Sequence, residues 1–388
     1  MAKIINIFER TVSLSSGMRN ADISFDEMTA TALVLVSDVV EDGKPVVGLA
    51  FDSVGRYAHG ALIKERFGPR LLAADPATYA ADAGKGIDPR KAWKVLMRNE
   101  KGGGHGERAG SVGLMDAALW DLQAKLLGLP LWKLVSLEYP GAATPGQITV
   151  YASGGHYRPG ADAGALADEI RRYQDQGYRR YKIKTGGASV QTDCARVEAA
   201  LSVAGSGSAL SVDFNAGLTG ADADDRIAQM SQYGLAWLEE PVDPLDYQGL
   251  AELRSRHDVP MATGENLFSF ADTRNLIRHG GLNPATDFIN VDVSLSYGLV
   301  EYVRILDMAH EAGWGRRGFL PHAGHLLAMH VAAGLGLGGH ETAPSDPLLG
   351  GFTPDVRLID GVAHLGETPG VGFERHERLG PLFADMLR

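Results

Sequence analysis

Six short apolar runs between residues 181 and 322 each end in ionisable groups. They read Lys182-Ile183-Lys184, Asp213-Phe214-Asn215, Glu239-Glu240-Pro241, Gly264-Glu265-Asn266, Asn290-Val291-Asp292 and Pro321-His322. Successive groups lie 26 to 30 residues apart, about one β/α unit, so they are expected to ring one cleft. Three successive ends carry Asp213, Glu239 and Glu265. Converging carboxylates without a partner repel and take up protons. A hard divalent cation resolves that conflict, and an oxygen-only donor set favours magnesium or manganese over zinc. Lys184 lies on one side of the triad, and Asp292 with His322 on the other. A lysine becomes a base near neutral pH when positive charge lowers its pKa, which Lys182 and the metal could do. Asp292 would fix the His322 tautomer and stabilise its protonated form.

The elements that must position these groups are readable from periodicity. Apolar runs at 148–152, 181–184, 210–213, 236–239, 261–265, 288–292, 319–322 and 335–341 alternate with helical patterns, among them 165–176, 191–203, 223–233, 271–278 and 299–312. Alternation of β and α predicts a parallel sheet, and eight runs predict a closed barrel over 146–365 with its chemistry at the C-terminal strand ends. Side chains two apart on a strand share a face. Lys182 and Lys184 therefore point inward together, as do Asp213 and Asn215. Glu239 shares a face with Trp237, and Glu240 points away.

The first 140 residues read as α+β. A strand at 3–13 precedes a hairpin of 31–39 and 45–51 around Glu41-Asp42-Gly43-Lys44, with helices at 60–67, 89–98 and 109–127. The last of these stops at Gly128-Leu129-Pro130. The segment 356–373 reads as a strand pair and a Pro/Gly loop returning to this first domain, which part of 366–388 completes. Two loops could supply specificity. Residues 16–28 carry Arg19 and Asn20 in a lid-like polar segment. Residues 99–108 hold three adjacent glycines beside Lys101 and His105, suited to gripping the distal carboxylate of a diacid.

With 37 Lys and Arg against 48 Asp and Glu, the formal charge of the 388 residues is −11, which argues against nucleic acid or an anionic membrane as partner. The single cysteine, Cys194, excludes an internal disulfide or a cysteine-rich metal site. No signal-like start and no apolar run of about 18 residues is present, so the expected compartment is the cytoplasm.

The set Lys-x-Lys, Asp-x-Asn, Glu-Glu-Pro, Gly-Glu-Asn and Asp…His, in that order, resembles the mandelate racemase branch of the enolase superfamily. The resemblance spans nearly the whole chain, including the closing Pro369-Gly370-Val371-Gly372-Phe373. Arg19-Asn20-Ala21, Asn99-Glu100-Lys101, Gly104-His105-Gly106-Glu107-Arg108 and Leu295-Ser296-Tyr297-Gly298 resemble the acid-sugar dehydratases, most of all the D-tartrate dehydratases. The resemblance implies an α/β fold, a (β/α)7β barrel under an N-terminal α+β cap completed by the C-terminal tail. It implies magnesium on Asp213, Glu239 and Glu265, Lys184 as the base that removes the proton α to a carboxylate, and Lys182 with the metal stabilising the enediolate. It implies His322, oriented by Asp292, as the acid for the departing β-hydroxyl. A small anionic sugar acid is the implied substrate and a symmetric homo-oligomer the implied assembly. Glu341, at the eighth strand end, could donate a hydrogen bond to the enediolate if protonated. Two features depart from a tartrate enzyme: the proline of Glu239-Glu240-Pro241-Val242-Asp243, and His156 where a tyrosine is expected.

Three rivals remain at this point. A racemase or epimerase needs the same two bases on opposite faces. A zinc barrel hydrolase would use His322, His325 and His330, but the first strand, Thr149-Val150-Tyr151-Ala152-Ser153, lacks the paired histidines it wants. A non-catalytic homologue would have no use for lysines, triad and Asp–His pair together.

Overall fold

The computed structural model describes residues 1–388 except 1, 15, 16, 18, 22, 83, 159, 161 and 347–349. Residues 16, 18 and 22 of the expected lid thus lie outside the described residues. Strands β1 (Ile4–Ser13), β2 (Thr29–Glu41) and β3 (Lys44–Phe51) form an antiparallel sheet in that order, and the Asp42-Gly43 turn takes the positive φ angles a tight hairpin needs. Helix Glu107–Leu126 lies against β3 and is buried along almost its whole length. An apolar surface on every side marks a helix covered on every side. Gly48 lets it approach, since a Cβ there would sit 2.1 Å from the Ala118 carbonyl oxygen.

One buried carboxylate of this helix ties three segments together. Asp121 accepts from the Leu49 amide of β3 (2.8 Å) and the Val371 amide of the C-terminal loop (2.7 Å). The Leu131 amide donates to the Gly370 carbonyl, and Leu379 and Phe383 of the final helix, Leu379–Met386, are buried. The tail completes the cap, as expected.

The barrel staves are β4 (Gln147–Gly154), β5 (Tyr181–Lys184), β6 (Leu210–Asp213), β7 (Leu238–Glu239), β8 (Met261–Thr263) and β9 (Phe288–Ile289), all parallel in sequence order. β10 (His340–Thr342) pairs with β4 and closes the ring. The expected strand at 319–322 is reduced to one bridge, Ile289 to Phe319. Its backbone still joins both neighbours, through Leu320 N to Ile289 O and Gly338 N to Phe319 O. The expected pair, β11 (Arg357–Ile359) and β12 (Val362–His364), adds antiparallel to the start of β4.

Several staves are shorter than their apolar runs because the backbone turns at the rim. Asn215, Ala216 and Glu240 have φ of 46°, 56° and 43°, and Gly264 132°. Non-glycine residues rarely hold such angles and cluster at functional sites when they do. Inside the barrel, Tyr151, Trp237 and Leu320 form an apolar plug beneath the rim, with Tyr151 edge-on to Trp237.

Candidate active site

The rim brings eight of the expected side chains to one place, Lys182, Lys184, Asp213, Glu239, Glu265, Asp292, His322 and Glu341. Lys182 and Lys184 on β5 register with Ser211 and Asp213 on β6, and Asp213 registers with Glu239 on β7. Ligand oxygens of Asp213, Glu239 and Glu265 all lie within 4.8 Å of one another, and all three residues are buried. Lys184 Nζ donates to Asp213 Oδ2 (2.6 Å), and Lys182 Nζ to Glu239 Oε1 (2.5 Å) and Glu341 Oε2 (3.3 Å). Trp237 Nε1 donates to Glu239 Oε2 (2.8 Å), as their shared face requires. Across the cleft His322 Nε2 lies 3.4 Å from Glu265 Oε2, and Nδ1 bonds Asp292 Oδ2 at 3.1 Å.

The donor chemistry fits a hard cation. Three carboxylates converge with no sulfur or imidazole among them, and Glu265 Oε2 is buried with no hydrogen-bond partner. A buried acceptor left so is costly, and a cation satisfies it. Burial pushes the Glu239 carboxyl up to about 7, with Lys182 opposing and Asp213 adding. Neutralising that pair of charges is what a divalent ion does.

Two electrostatic expectations change and one holds. Lys184 is held above its ordinary value, not below: burial and Lys182 disfavour its charge, but the carboxylates of Asp213, Glu265 and Glu341 together outweigh them. Glu341 is held below the carboxylate range, since Lys182 and His322 overcome its burial. It accepts from Lys182 Nζ and the Ala323 amide, so it is an acceptor and not a protonated donor. His322 behaves as expected. Burial lowers it, Glu265 and Asp292 raise it more, and it stands at about 9.

A cleft of about 350 Å³ opens above the triad. Lys184, Glu265, His322, Asn215, Glu341 and Asn20 line it, whereas Lys182 and Asp292 lie beneath its surface, 0 % and 1 % exposed. Glu240 does not point away. Its positive φ turns it into the cleft wall, where Asn266 Nδ2 donates to both its oxygens. Strand alternation fails there because the strand has ended at Glu239.

The two specificity loops divide. Asn20 reaches the cleft with Ile23 and Phe25, while Arg19 is exposed and joins Tyr157 only by backbone. Lys101 is exposed and outside the cleft. Its loop docks instead on Tyr297, whose hydroxyl meets Arg108 Nε (2.9 Å) and His105 Nδ1 (3.0 Å). Arg108 Nη1 donates to the Lys101 carbonyl, which turns the backbone toward Arg108. The cation that the cap does bring to the cleft is Arg56, from the loop after β3, and the sequence reading missed it. A lone arginine past a hairpin carries little signal. His156 also lines the cleft, kept neutral to about 3 by burial and by Lys184 and Arg158.

Residues 165–379 match the family model Enolase C-terminal domain-like, more than half of the chain. The chain belongs to the enolase superfamily. Within it, the chain falls with the mandelate racemase and muconate lactonizing enzyme-like members. It is 29% identical to an L-talarate/galactarate dehydratase of Salmonella typhimurium over 362 residues, covering 90% of this chain and 82% of that one. It is 26% identical over 272 residues to an N-succinyl-L-Arg/Lys racemase of Bacillus cereus, covering 68% and 69%. A solved L-talarate dehydratase from Polaromonas sp. JS666, complexed with magnesium and L-glucarate, superposes with TM-score 0.73 at 26% identity, covering 96% and 94%. Superfamily relatives thus include both dehydratases and racemases. No helix among the described residues is long and apolar enough to cross a membrane.

Proposed function

We propose that this enolase-superfamily protein is a magnesium-dependent acid-sugar dehydratase acting on a short diacid, with D-tartrate, converted to oxaloacetate and water, as the substrate. The observation that carries the reading is one cleft with Lys184 on one side of the Asp213–Glu239–Glu265 triad, His322 on the other, and Arg56 on the cap wall.

Magnesium on the triad would supply Lewis-acid stabilisation of charge on the substrate carboxylate and would draw on the Asp213 oxygens that otherwise hold a proton on Lys184. Lys184 takes the α-proton from one side. His322 gives its Nε2 proton to the β-hydroxyl, which leaves as water with the C–O bond electrons, while the pair left by the broken α-C–H bond becomes the C=C of the enol, which tautomerises to the 2-keto acid. Asp292 holds His322 in the tautomer that presents Nε2 to the cleft. Lys182 acts at one remove, neutralising Glu239 and Glu341 under the cleft. Arg56 faces the far end of the substrate, where a second carboxylate would sit, and Asn20 and Asn215 offer amides along the way.

A racemase or epimerase stands second, because groups on opposite faces also suit proton removal and return at one carbon. Incubation of mono- and diacid sugars with magnesium in deuterium oxide separates the two. Dehydration gives a 2-keto acid, with D-tartrate foremost. Exchange of the α-proton without keto acid replaces dehydration by racemisation, and turnover of long aldonates alone removes tartrate.

A further inference from the structure

The Asp292 carboxylate is held from two sides that belong to different parts of the fold. Oδ1 accepts from the Ser294 and Leu295 amides of its own barrel loop, at 2.7 and 2.9 Å. Oδ2, the oxygen that takes His322 Nδ1, accepts in addition from the Ser53 hydroxyl at 2.5 Å. Ser53 comes from the cap, 239 residues earlier in the chain, and is 1 % exposed. A carboxylate gripped at one oxygen can still swing the other. Ser53 removes that freedom, and with it the freedom of the imidazole on Oδ2.

The same cap loop carries the cleft wall. Val54 and Arg56 line the cleft one and three residues after Ser53, and Arg56 Nη1 folds back onto the Gly55 carbonyl at 2.9 Å. On the other side Asp52 is anchored twice, accepting from the Thr31 amide (2.6 Å) and pairing with His59 Nδ1 (2.8 Å). Phe51 is pinned to the barrel through its carbonyl and His325 Nε2. Residues 51–56 therefore form a short strap fixed at its start, touching the Asp–His pair in the middle and the substrate space at its end.

We infer that Ser53 is a positioning residue through which the cap aligns His322, so that the loop lining the distal end of the substrate also sets the geometry of proton delivery. This rests on the dehydratase reading. Lys184 is reached by none of these contacts, so the two halves of the reaction should respond differently to its loss.

The test uses the full-length protein with magnesium, comparing wild type with Ser53→Ala and Ser53→Thr. Two rates are read: α-proton exchange into deuterium oxide, which reports Lys184, and 2-keto acid formation, which reports His322. Ser53→Ala is expected to slow keto acid formation on the order of 10²-fold, the cost of a small misalignment of a reacting group, while exchange stays within about twofold. Ser53→Thr, which keeps the hydroxyl, is expected to recover most of the loss. Calorimetric magnesium binding and the melting temperature check that Ser53→Ala remains folded. A parallel fall in both rates, or no fall in either, overturns the inference. So does a Ser53→Thr variant no better than Ser53→Ala. If wild type exchanges without making keto acid, the dehydratase reading fails by itself. The positioning role is then read from the two enantiomers, since only the one whose proton His322 handles should exchange slowly in Ser53→Ala.

Discussion

Two histidines in this protein have almost the same electrostatic setting in different regions, one at the barrel rim and one inside the cap. His322 lies between Asp292 and Glu265, and His59 between Asp52 and Glu107, at 2.8 Å from each. In both, burial lowers the pKa, carboxylates raise it further, and the result is about 9. Their surroundings separate them. His322 opens into the cleft. His59 is sealed at 1 % exposure, with its ring so close to Gly110 that a Cβ there would lie 2.4 Å away. A shifted pKa marks a buried charge, and only access to a cleft makes that charge available for chemistry.

The comparison is broken most directly by removing each partner set. Lys184→Ala or His322→Asn should cut turnover by roughly 10²- to 10⁴-fold with the melting curve little moved. Glu265→Gln should abolish calorimetric magnesium binding as well, since it removes a charge from the triad. His59→Gln should do the reverse. It breaks a buried ion cluster, at a cost of about 3 kcal/mol in urea unfolding, while the protein that remains folded keeps its kcat. Retained stability with lost turnover in His59→Gln would make the two histidines functional equals and sink the distinction.

The pH dependence of that stability follows with a definite sign. His59 has a folded value of about 9 against the ordinary 6.5 of an imidazole. A group raised on folding stabilises fully below the unfolded value, and the contribution disappears as pH climbs through the folded one. The gap in unfolding free energy between wild type and His59→Gln should therefore be widest below pH 6.5 and close as pH passes about 9. A gap that widens toward high pH would mean that the imidazole is buried neutral. Gly110→Ala belongs to the same region. Overpacking the ring should cost about 1–3 kcal/mol, with no effect on magnesium binding.

The rim was legible in the sequence and the cap loops only in part, through Asn20, for a physical reason. A barrel repeats one unit, so each functional group recurs at the same phase of a β/α period, and three carboxylates at 213, 239 and 265 are visible as a series. Alternation then assigned Trp237 to the face of Glu239, as observed. It failed one residue later, at Glu240, because a positive φ is not written in periodicity. The cap offers no such repeat. Lys101 looked suitable beside three glycines, yet Arg108 and His105 dock that loop on Tyr297, 189 and 192 residues away in sequence. Ser53 reaches Asp292, and Arg56 the cleft, from a stretch, 52–56, with no motif, placed there only by the packing of cap on barrel.

That difference between two cap cations yields the smallest predicted effect and the sharpest one. Arg56 lines the cleft, pinned by the Gly55 carbonyl and lying 5.7 Å over the Phe268 ring. Its planar guanidinium can take a carboxylate through two donors. Arg56→Met keeps an unbranched apolar side chain and removes the donors together with the charge over the Phe268 ring. A charged hydrogen bond contributes about 1.5–3 kcal/mol, so KM for a diacid should rise by roughly 10- to 100-fold with kcat changed far less. A monoacid of the same length has nothing for the guanidinium to hold, and its KM should stay put. Lys101→Met should leave both substrates alone, because that side chain points outside the cleft. Equal losses for diacid and monoacid in Arg56→Met would reduce Arg56 to a packing residue. A diacid-selective loss in Lys101→Met would return the distal site to the glycine loop.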